Sequence, residues 1–208
     1  VLQRWIGWLL LAIVVWSGFT WRYGIPTSES HALIAGLTGA SLATAGPSAL
    51  LWDGWQKVGI GLIFSTLLGF GGGLLIVTAI YWIFHRLAAR RVQNIFGKLQ
   101  IFSAAFMAYS HGSNDGQKFI GAFTLALVLG GWLPQFDVPF QVILLCSLVM
   151  GIGTSIGGWR IIRTMGTKVV RLDPHQGFAA ETSAALTIEL ASQLGIPLST
   201  THTITTAI

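Results

Sequence analysis

The chain has 208 residues, of which 53% are hydrophobic and only 9% are charged, against about 25% charged in soluble domains. This composition excludes an ordinary soluble domain and favours an all-α integral membrane protein, because each crossing helix needs about 20 mostly apolar residues. The formal net charge of +5 is spread over loops, which suits membrane topology and excludes a concentrated nucleic-acid-binding face.

The first three predicted elements differ in their apolar content. Residues 5–22 are apolar enough for a transmembrane helix. Residues 25–52 are rich in Ala, Gly, Ser and Thr and are interrupted by a Gly-Pro pair, which predicts a re-entrant hairpin and not an independent span. Residues 58–84 form a clear span, and the run GFGGG at 69–73 predicts a neighbouring helix at close range.

Two basic segments frame the next elements. Residues 85–98 and residues 160–172 each carry four Lys or Arg, and the sequence predicts that both are loops on the cytoplasmic side. The intervening residues 99–133 and 140–159 then make one crossing outward and one crossing back.

A hydrophilic block, SHGSNDGQK at 110–118, interrupts the apolar segment 99–133. The apolar arm before it reaches only about halfway through a hydrocarbon core of roughly 30 Å. This length places the block near the midplane and predicts a broken transmembrane helix that lines a protected cavity. The alternative is an exposed loop between two complete spans.

The predicted break suggests a chemistry for the block. Free N–H groups at the start of a half-helix bind anions, and Ser113, Asn114 and the backbone of Gly116 would add donors. The carboxylate of Asp115 suits a coupling cation, either Na⁺ or H⁺. Lys118 has two open roles, since it either pairs with Asp115 or faces an aqueous opening.

An internal repeat relates GIPTSESHALIAGL at 24–37 to GIPLSTTHTITTAI at 195–208. If the first copy dips into the membrane and returns, three crossings separate the copies, so they enter from opposite faces. Such an inverted repeat is typical of secondary transporters. The hydroxyls of Ser199, Thr200 and Thr201 would complete the anion shell.

Residues 174–208 are predicted as a second re-entrant hairpin. Asp173 is the expected N-cap of its first helix, and a Gly and a Pro mark the end of that helix. Glu181 has two open roles, a site ligand or a buried hydrogen-bonding group, whereas Glu189 is expected on a solvated face. The chain has no Walker pattern and no nucleophile elbow, so neither an enzyme nor a cofactor is expected.

Four motifs together resemble the inorganic phosphate transporter family of the PiT type, in its bacterial branch: SHGSNDGQK, IPTSESHALIAG, QGFAAETSAA and PLSTTHTITTAI. The resemblance implies inverted repeats, a re-entrant hairpin in each, and a multi-pass location in the bacterial inner membrane. It also implies phosphate carried with Na⁺ or H⁺ by a homodimer. The chain would then be a fragment from the middle and later part of such a protein.

The resemblance also assigns residues. It places the family signature at 112–115 and puts Ser28 and Ser30 at the tip of the first hairpin. The full expected sets are Ser113, Asn114, Gly116, Ser28, Ser30, Ser199, Thr200 and Thr201 for phosphate, and Asp115, Asn114 and Glu181 for the coupling cation.

Two departures from the family pattern leave questions open. Gln117 and Lys118 follow the signature where the family has small residues, which leaves the coupling ion undecided. The family's other signature is expected upstream of residue 1. A symporter of another oxyanion such as sulfate, or a non-transporting membrane scaffold, are the alternatives.

Overall fold

The computed structural model describes residues 2–164 and 170–208, and the side chains of residues 2–6 lie outside that description. Helices account for most of the described chain, and a short 3-10 turn covers Pro47–Ala49. In chain order the helices are α1 Leu2–Tyr23, α2 Glu29–Ala45, α3 Trp52–Phe84, α4 Ala89–Leu129, α5 Phe140–Gly157, α6 Trp159–Thr164, α7 Pro174–Gln193 and α8 Thr200–Ala207.

Apolar side chains cover much of the helix surface. Among the described residues, α3 and α5 are long and apolar enough to cross a membrane. The exposed positions of α5 carry large aliphatic side chains, and exposed apolar surface on this scale marks contact with lipid or protein. They are Leu145, Leu148, Val149, Ile152 and Ile156.

The chain forms two compact units. Unit 1 contains residues 1–53 and 115–164, and unit 2 contains residues 54–114 together with 170–208. The division falls inside α4, between Asn114 and Asp115.

In unit 1, α2 packs against α1. Leu9 and Ile13 of α1 and Leu33 of α2 form a buried cluster against which Ala122 of α4 packs. Within a bilayer, such contacts stabilise the helices by van der Waals packing, because lipid tails are as apolar as these side chains.

In unit 2, α3 lies unusually close to α8 and to the turn before it. A Cβ atom added to Gly61 would lie 1.9 Å from the carbonyl oxygen of Pro197, and one added to Gly69 would lie 2.6 Å from the carbonyl oxygen of Thr203. Gly73 meets the Ala207 carbonyl in the same way. The close helix approach predicted from the glycine run is therefore confirmed, because Gly69 and Gly73 approach α8 and Gly72 approaches Ser183 of α7.

The predicted break at 110–118 is wrong, because α4 is helical from Ala89 to Leu129 without interruption. The positive φ angles among glycines lie elsewhere in the described chain, so Gly112 and Gly116 keep helical backbone. A helix satisfies its own backbone hydrogen bonds, so a polar block needs buried partners only for its side chains.

The two basic segments are also more helical than predicted. The loop expected at 85–98 is confined to its first residues, since α4 begins at Ala89 in a run of good helix formers. In the segment 160–172, α6 extends to Thr164, and residues 165–169 lie outside the described residues.

The remaining bounds differ less. The segment 25–52 contains α2, the 3-10 turn and the start of α3. It therefore has no second helical arm within its own bounds, and α2 packs instead against α1. The helix predicted at 58–84 begins earlier, at Trp52, and those predicted at 5–22 and 140–159 correspond to α1 and α5.

Candidate functional site

A buried carboxylate, an ammonium group and a hydroxyl meet in unit 1. The Asp115 side chain is almost fully buried, and its Oδ1 accepts hydrogen bonds from Lys118 Nζ at 3.0 Å and from Ser30 Oγ at 3.3 Å. Lys118 Nζ also donates to Ser30 Oγ at 2.7 Å. The structure therefore joins two of the predicted site residues and assigns Lys118 to the first of its two open roles, pairing with Asp115.

The helices explain this meeting. Asp115 and Lys118 are three residues apart on α4, a spacing that puts both side chains on one helix face. Ser30 is the second residue of α2 and is buried at the start of that helix. The first turn of α2 thus faces the polar face of α4 within unit 1.

The two copies of the sequence repeat have the same capping geometry. Ser28 Oγ accepts a hydrogen bond from the His31 N–H at 3.2 Å, and Ser199 Oγ accepts one from the His202 N–H at 3.1 Å. The backbone angles of the two serines agree, with φ −94° and ψ 109° against φ −96° and ψ 115°. Each serine is therefore the N-cap of the helix that follows it.

The turn before each cap is repeated as well. Gly24 has φ 66° and Gly195 has φ 65°, the left-handed conformation that glycine adopts most easily. In both copies the N–H that follows the glycine donates to a carbonyl five residues earlier at 2.9 Å, which is a Schellman ending. The sequence repeat is therefore also a structural repeat. The helices α1 and α2 form one helix–turn–helix unit, and α7 and α8 form the other.

In unit 2, the start of α8 gathers three of the predicted hydroxyl residues. Ser199 and Thr200 are buried, whereas Thr201 is partly exposed. Thr203 Oγ1 donates to the Ser199 carbonyl at 2.9 Å and closes the first turn of this helix. Ser113 and Asn114 belong to the same unit, with Asn114 buried on α4.

Glu181 lies in a separate polar cluster of unit 2, between α7 and α4. Its Oε2 accepts a hydrogen bond from Ser103 Oγ at 2.5 Å, and its Oε1 accepts one from Gln100 Nε2 at 3.5 Å. Gly177 makes room for the Gln100 amide, since a Cβ added there would lie 2.2 Å from Nε2. Glu181 is therefore at least a hydrogen-bonding group between helices, the second of its two open roles.

Ser103 and Gln100 were not predicted as functional residues. Together with Ser110, they mark one face of α4 at helical spacing, which was the available signal. Ser110 Oγ is fully buried and has no hydrogen-bond partner among the described residues. Burying an unsatisfied hydroxyl costs about 1–3 kcal/mol. Polar residues on one face of an otherwise apolar helix segment therefore indicate a place where polar contacts are made.

The continuous α4 changes the expected role of Gly116. Inside a helix its N–H group bonds to a carbonyl four residues earlier, so it is not the free donor that a broken helix would offer. Its Cβ position faces open space, so Gly116 leaves room beside Asp115.

Comparisons with known proteins agree on one family. Residues 4–90 and 85–208 match the model of the phosphate transporter family. A protein of Rhizobium meliloti named "Probable low-affinity inorganic phosphate transporter" is 45% identical over 200 residues, which are 96% of this chain and 60% of that protein. A protein of Bacillus subtilis with the same name is 39% identical over 200 residues, with the same two coverages.

A solved structure has the same fold. It is titled "The sodium-dependent phosphate transporter", and it matches 100% of this chain and 69% of its own chain with a TM-score of 0.81. Its sequence identity of 21% limits the likeness to the fold.

The helical fold of the described residues, the exposed aliphatic surface and the buried polar clusters fit a membrane protein. The chain belongs to the phosphate transporter family, because the family model matches nearly all of it. The predicted resemblance is therefore confirmed. The chain spans 60% of the length of the two relatives, both of which are named as transporters.

Proposed function

We propose that the protein containing this chain carries inorganic phosphate across the bacterial inner membrane, together with Na⁺ or H⁺. The observation that carries this proposal is the repeated N-cap geometry of Ser28 and Ser199. The N-terminal end of a helix carries a partial positive charge and favours an anion. Each of these helix starts is rich in hydroxyls, which suits contact with the acceptor oxygens of a tetrahedral anion.

The phosphate ligands in this proposal are the hydroxyls at the two helix starts and the polar side chains of α4. Side chains take the place of the unwound backbone, since α4 is continuous. Gly116 contributes space for the anion. The side chains proposed to contact phosphate are Ser28, Ser30, Ser113, Asn114, Ser199, Thr200 and Thr201.

For the coupling cation, the proposal rests first on Glu181. Its carboxylate and the neighbouring Ser103 hydroxyl supply oxygen atoms, which hard cations prefer, whereas Gln100 contacts the carboxylate through its amide nitrogen. Asn114 is buried on the same helix as Ser103 and remains a proposed ligand. Asp115 already contacts an ammonium group, which separates its role from that of Glu181.

The proposed architecture is an inverted repeat in which α1–α2 and α7–α8 are re-entrant hairpins, and the working protein is a homodimer. The shared turn and cap geometry of the two hairpins supports this arrangement. Transporters built this way place the ends of half-helices at an anionic substrate.

Uptake of radioactive phosphate by proteoliposomes that hold the whole protein tests this function. Ser199→Ala should lower the rate about tenfold or more at low phosphate, because one donor to a charged oxygen contributes roughly 1.5–3 kcal/mol. Thr205→Ala is the matched control, since this hydroxyl is exposed on the same helix and donates to the Thr201 carbonyl.

The same assay separates the alternatives. Excess sulfate that competes as well as unlabelled phosphate would favour a general oxyanion symporter. Intact, folded protein that neither binds nor moves phosphate in Na⁺ or in a pH gradient would favour a scaffold. Equal uptake by wild type and Ser199→Ala would contradict the assignment of Ser199, at the start of α8, as a phosphate ligand.

A further inference from the structure

The ammonium group of Lys118 lies between two oxygen atoms that would otherwise suit a small cation. It contacts the Asp115 carboxylate at 3.0 Å and the Ser30 hydroxyl at 2.7 Å. The Asp115 side chain is 6% exposed and that of Lys118 is 19% exposed, so this pair is largely removed from water.

Burial increases the energetic importance of the ion pair between Lys118 and Asp115. A carboxylate out of water needs a positive partner, because an unpaired buried charge costs several kcal/mol. Either a bound Na⁺ or an ammonium group can be the positive partner of Asp115, since both supply one positive charge and both take oxygen contacts. Here the partner is covalently attached, three residues further along the same helix.

The position of Ser30 adds a second reason. A lysine that only neutralised a neighbouring aspartate would need no third group. Instead, the ammonium bridges α4 and the first turn of α2, with the shorter of its two contacts made to the hydroxyl. It therefore fixes the start of α2, where the proposed phosphate ligands lie, in the way that a bound cation would.

We propose that Lys118 is a built-in cation: its ammonium group occupies the cation position between Asp115 and Ser30, so that no Na⁺ binds at Asp115. Lys118 is then a specificity-determining residue that sets which ion the transporter requires at this position. Any Na⁺ dependence of the protein arises elsewhere. This inference rests on the proposed phosphate transport, which it makes more specific.

The first test compares phosphate uptake in Na⁺ with uptake in choline at one pH, for the whole protein in proteoliposomes. Lys118→Met removes the charge and keeps the side-chain length. We expect the ratio of the two rates to rise by about tenfold or more, because Na⁺ must now supply the missing charge, and coupling between sites commonly reaches 5–150-fold. Lys57→Met, at an exposed position of α3, should leave the ratio at the wild-type value.

Two further variants show whether Asp115 is responsible. Lys118→Arg keeps the charge and should keep the wild-type ratio. The double variant Asp115→Asn with Lys118→Met removes both charges, and its ratio should return to the wild-type value. A high ratio that persists in the double variant would place the new Na⁺ requirement away from Asp115 and would contradict the proposal.

A direct binding measurement does not depend on transport. Binding of ²²Na⁺ to wild-type protein in detergent should be unchanged by Asp115→Asn, and a loss of bound Na⁺ in this variant would overturn the proposal even if Lys118→Met fails to fold. A rise in the KM for phosphate that is equal in Na⁺ and in choline would also overturn it, since Lys118 would then contact phosphate itself. Absence of phosphate uptake by wild type in every salt would contradict the proposed function, while the ²²Na⁺ comparison would still decide this inference.

Discussion

The hydroxyl of Ser103 donates a hydrogen bond to the Glu181 carboxylate at 2.5 Å, and so joins α4 to α7 inside unit 2. This short bond connects α4, the helix that carries the hydrophilic block at 110–118, to α7, the first arm of the second proposed hairpin. Because the acceptor is charged, the bond belongs to the stronger class of protein hydrogen bonds.

Glu181→Gln should abolish the stimulation of phosphate uptake by the coupling cation, because a neutral amide cannot balance a bound cation. Ser103→Ala keeps the carboxylate but removes a hydroxyl oxygen ligand, and it should weaken the apparent cation affinity about tenfold. The cation dependence of uptake in proteoliposomes measures both effects. Glu189→Gln is the control on the same helix, and an equal loss in that variant would show that the effect is not specific to this cluster.

Gly69→Ala should destabilise the contact between α3 and α8 by about 1–3 kcal/mol, because the added methyl group meets backbone and the helices must move apart. The measurement is the Tm of the whole protein in detergent. Gly71→Ala is a matched control on the same helix, where an added Cβ meets nothing within 4 Å. This control should be neutral or slightly stabilising, and a Tm loss as large as that of Gly69→Ala would contradict the close-packing explanation.

Gly195→Ala should cost about 1–2 kcal/mol, because the left-handed backbone at φ 65° is strained for an L-residue with a Cβ atom. Gly195→Asn should cost less, since asparagine tolerates this conformation. Thermal unfolding in detergent provides the comparison. If the two substitutions proved equally harmful, crowding or another cause would have to replace backbone strain.

Trp21→Phe should destabilise unit 1 by roughly 1–2 kcal/mol. The indole N–H donates to the Gly157 carbonyl at 2.9 Å, and the Arg160 guanidinium lies 4.7 Å from the ring centroid, so the substitution removes a hydrogen bond and weakens a cation–π contact. Trp8→Phe changes a side chain that is 63% exposed and serves as the control. Equal Tm values for the two variants would rule out a specific role for the Trp21 contacts.

Much of the fold was predictable from the sequence, because apolar segments and turn residues are local signals. The Gly-Ile-Pro repeat indicated two equivalent turns, and both have the same backbone conformation. The predicted helix break was wrong because composition cannot distinguish unwound backbone from a polar helix face. Asn114 and Asp115 are buried within an intact helix, and the Asp115 carboxylate accepts a hydrogen bond from Ser30 of α2.

Parts of the candidate site depended on long-range contacts. The pairing of Lys118 with Asp115 was one of two sequence-based interpretations, because a spacing of three residues permits the contact without requiring it. The contact of both with Ser30 is distant in sequence and needed the structure. Ser103 and Gln100 were missed because their functional neighbour, Glu181, is about eighty residues away.

The glycine-lined contact between α3 and α8 has a mechanical consequence. Side chains that interlock between helices resist sliding, and the α3 positions that face α8 at Gly69 and Gly73 offer only backbone. Translation along the shared axis therefore meets little steric friction there. The Thr206 hydroxyl lies 3.2 Å from the Ser65 carbonyl and 2.9 Å from the His202 carbonyl of its own helix, so its single proton is shared and restrains the register of α8 against α3 only weakly.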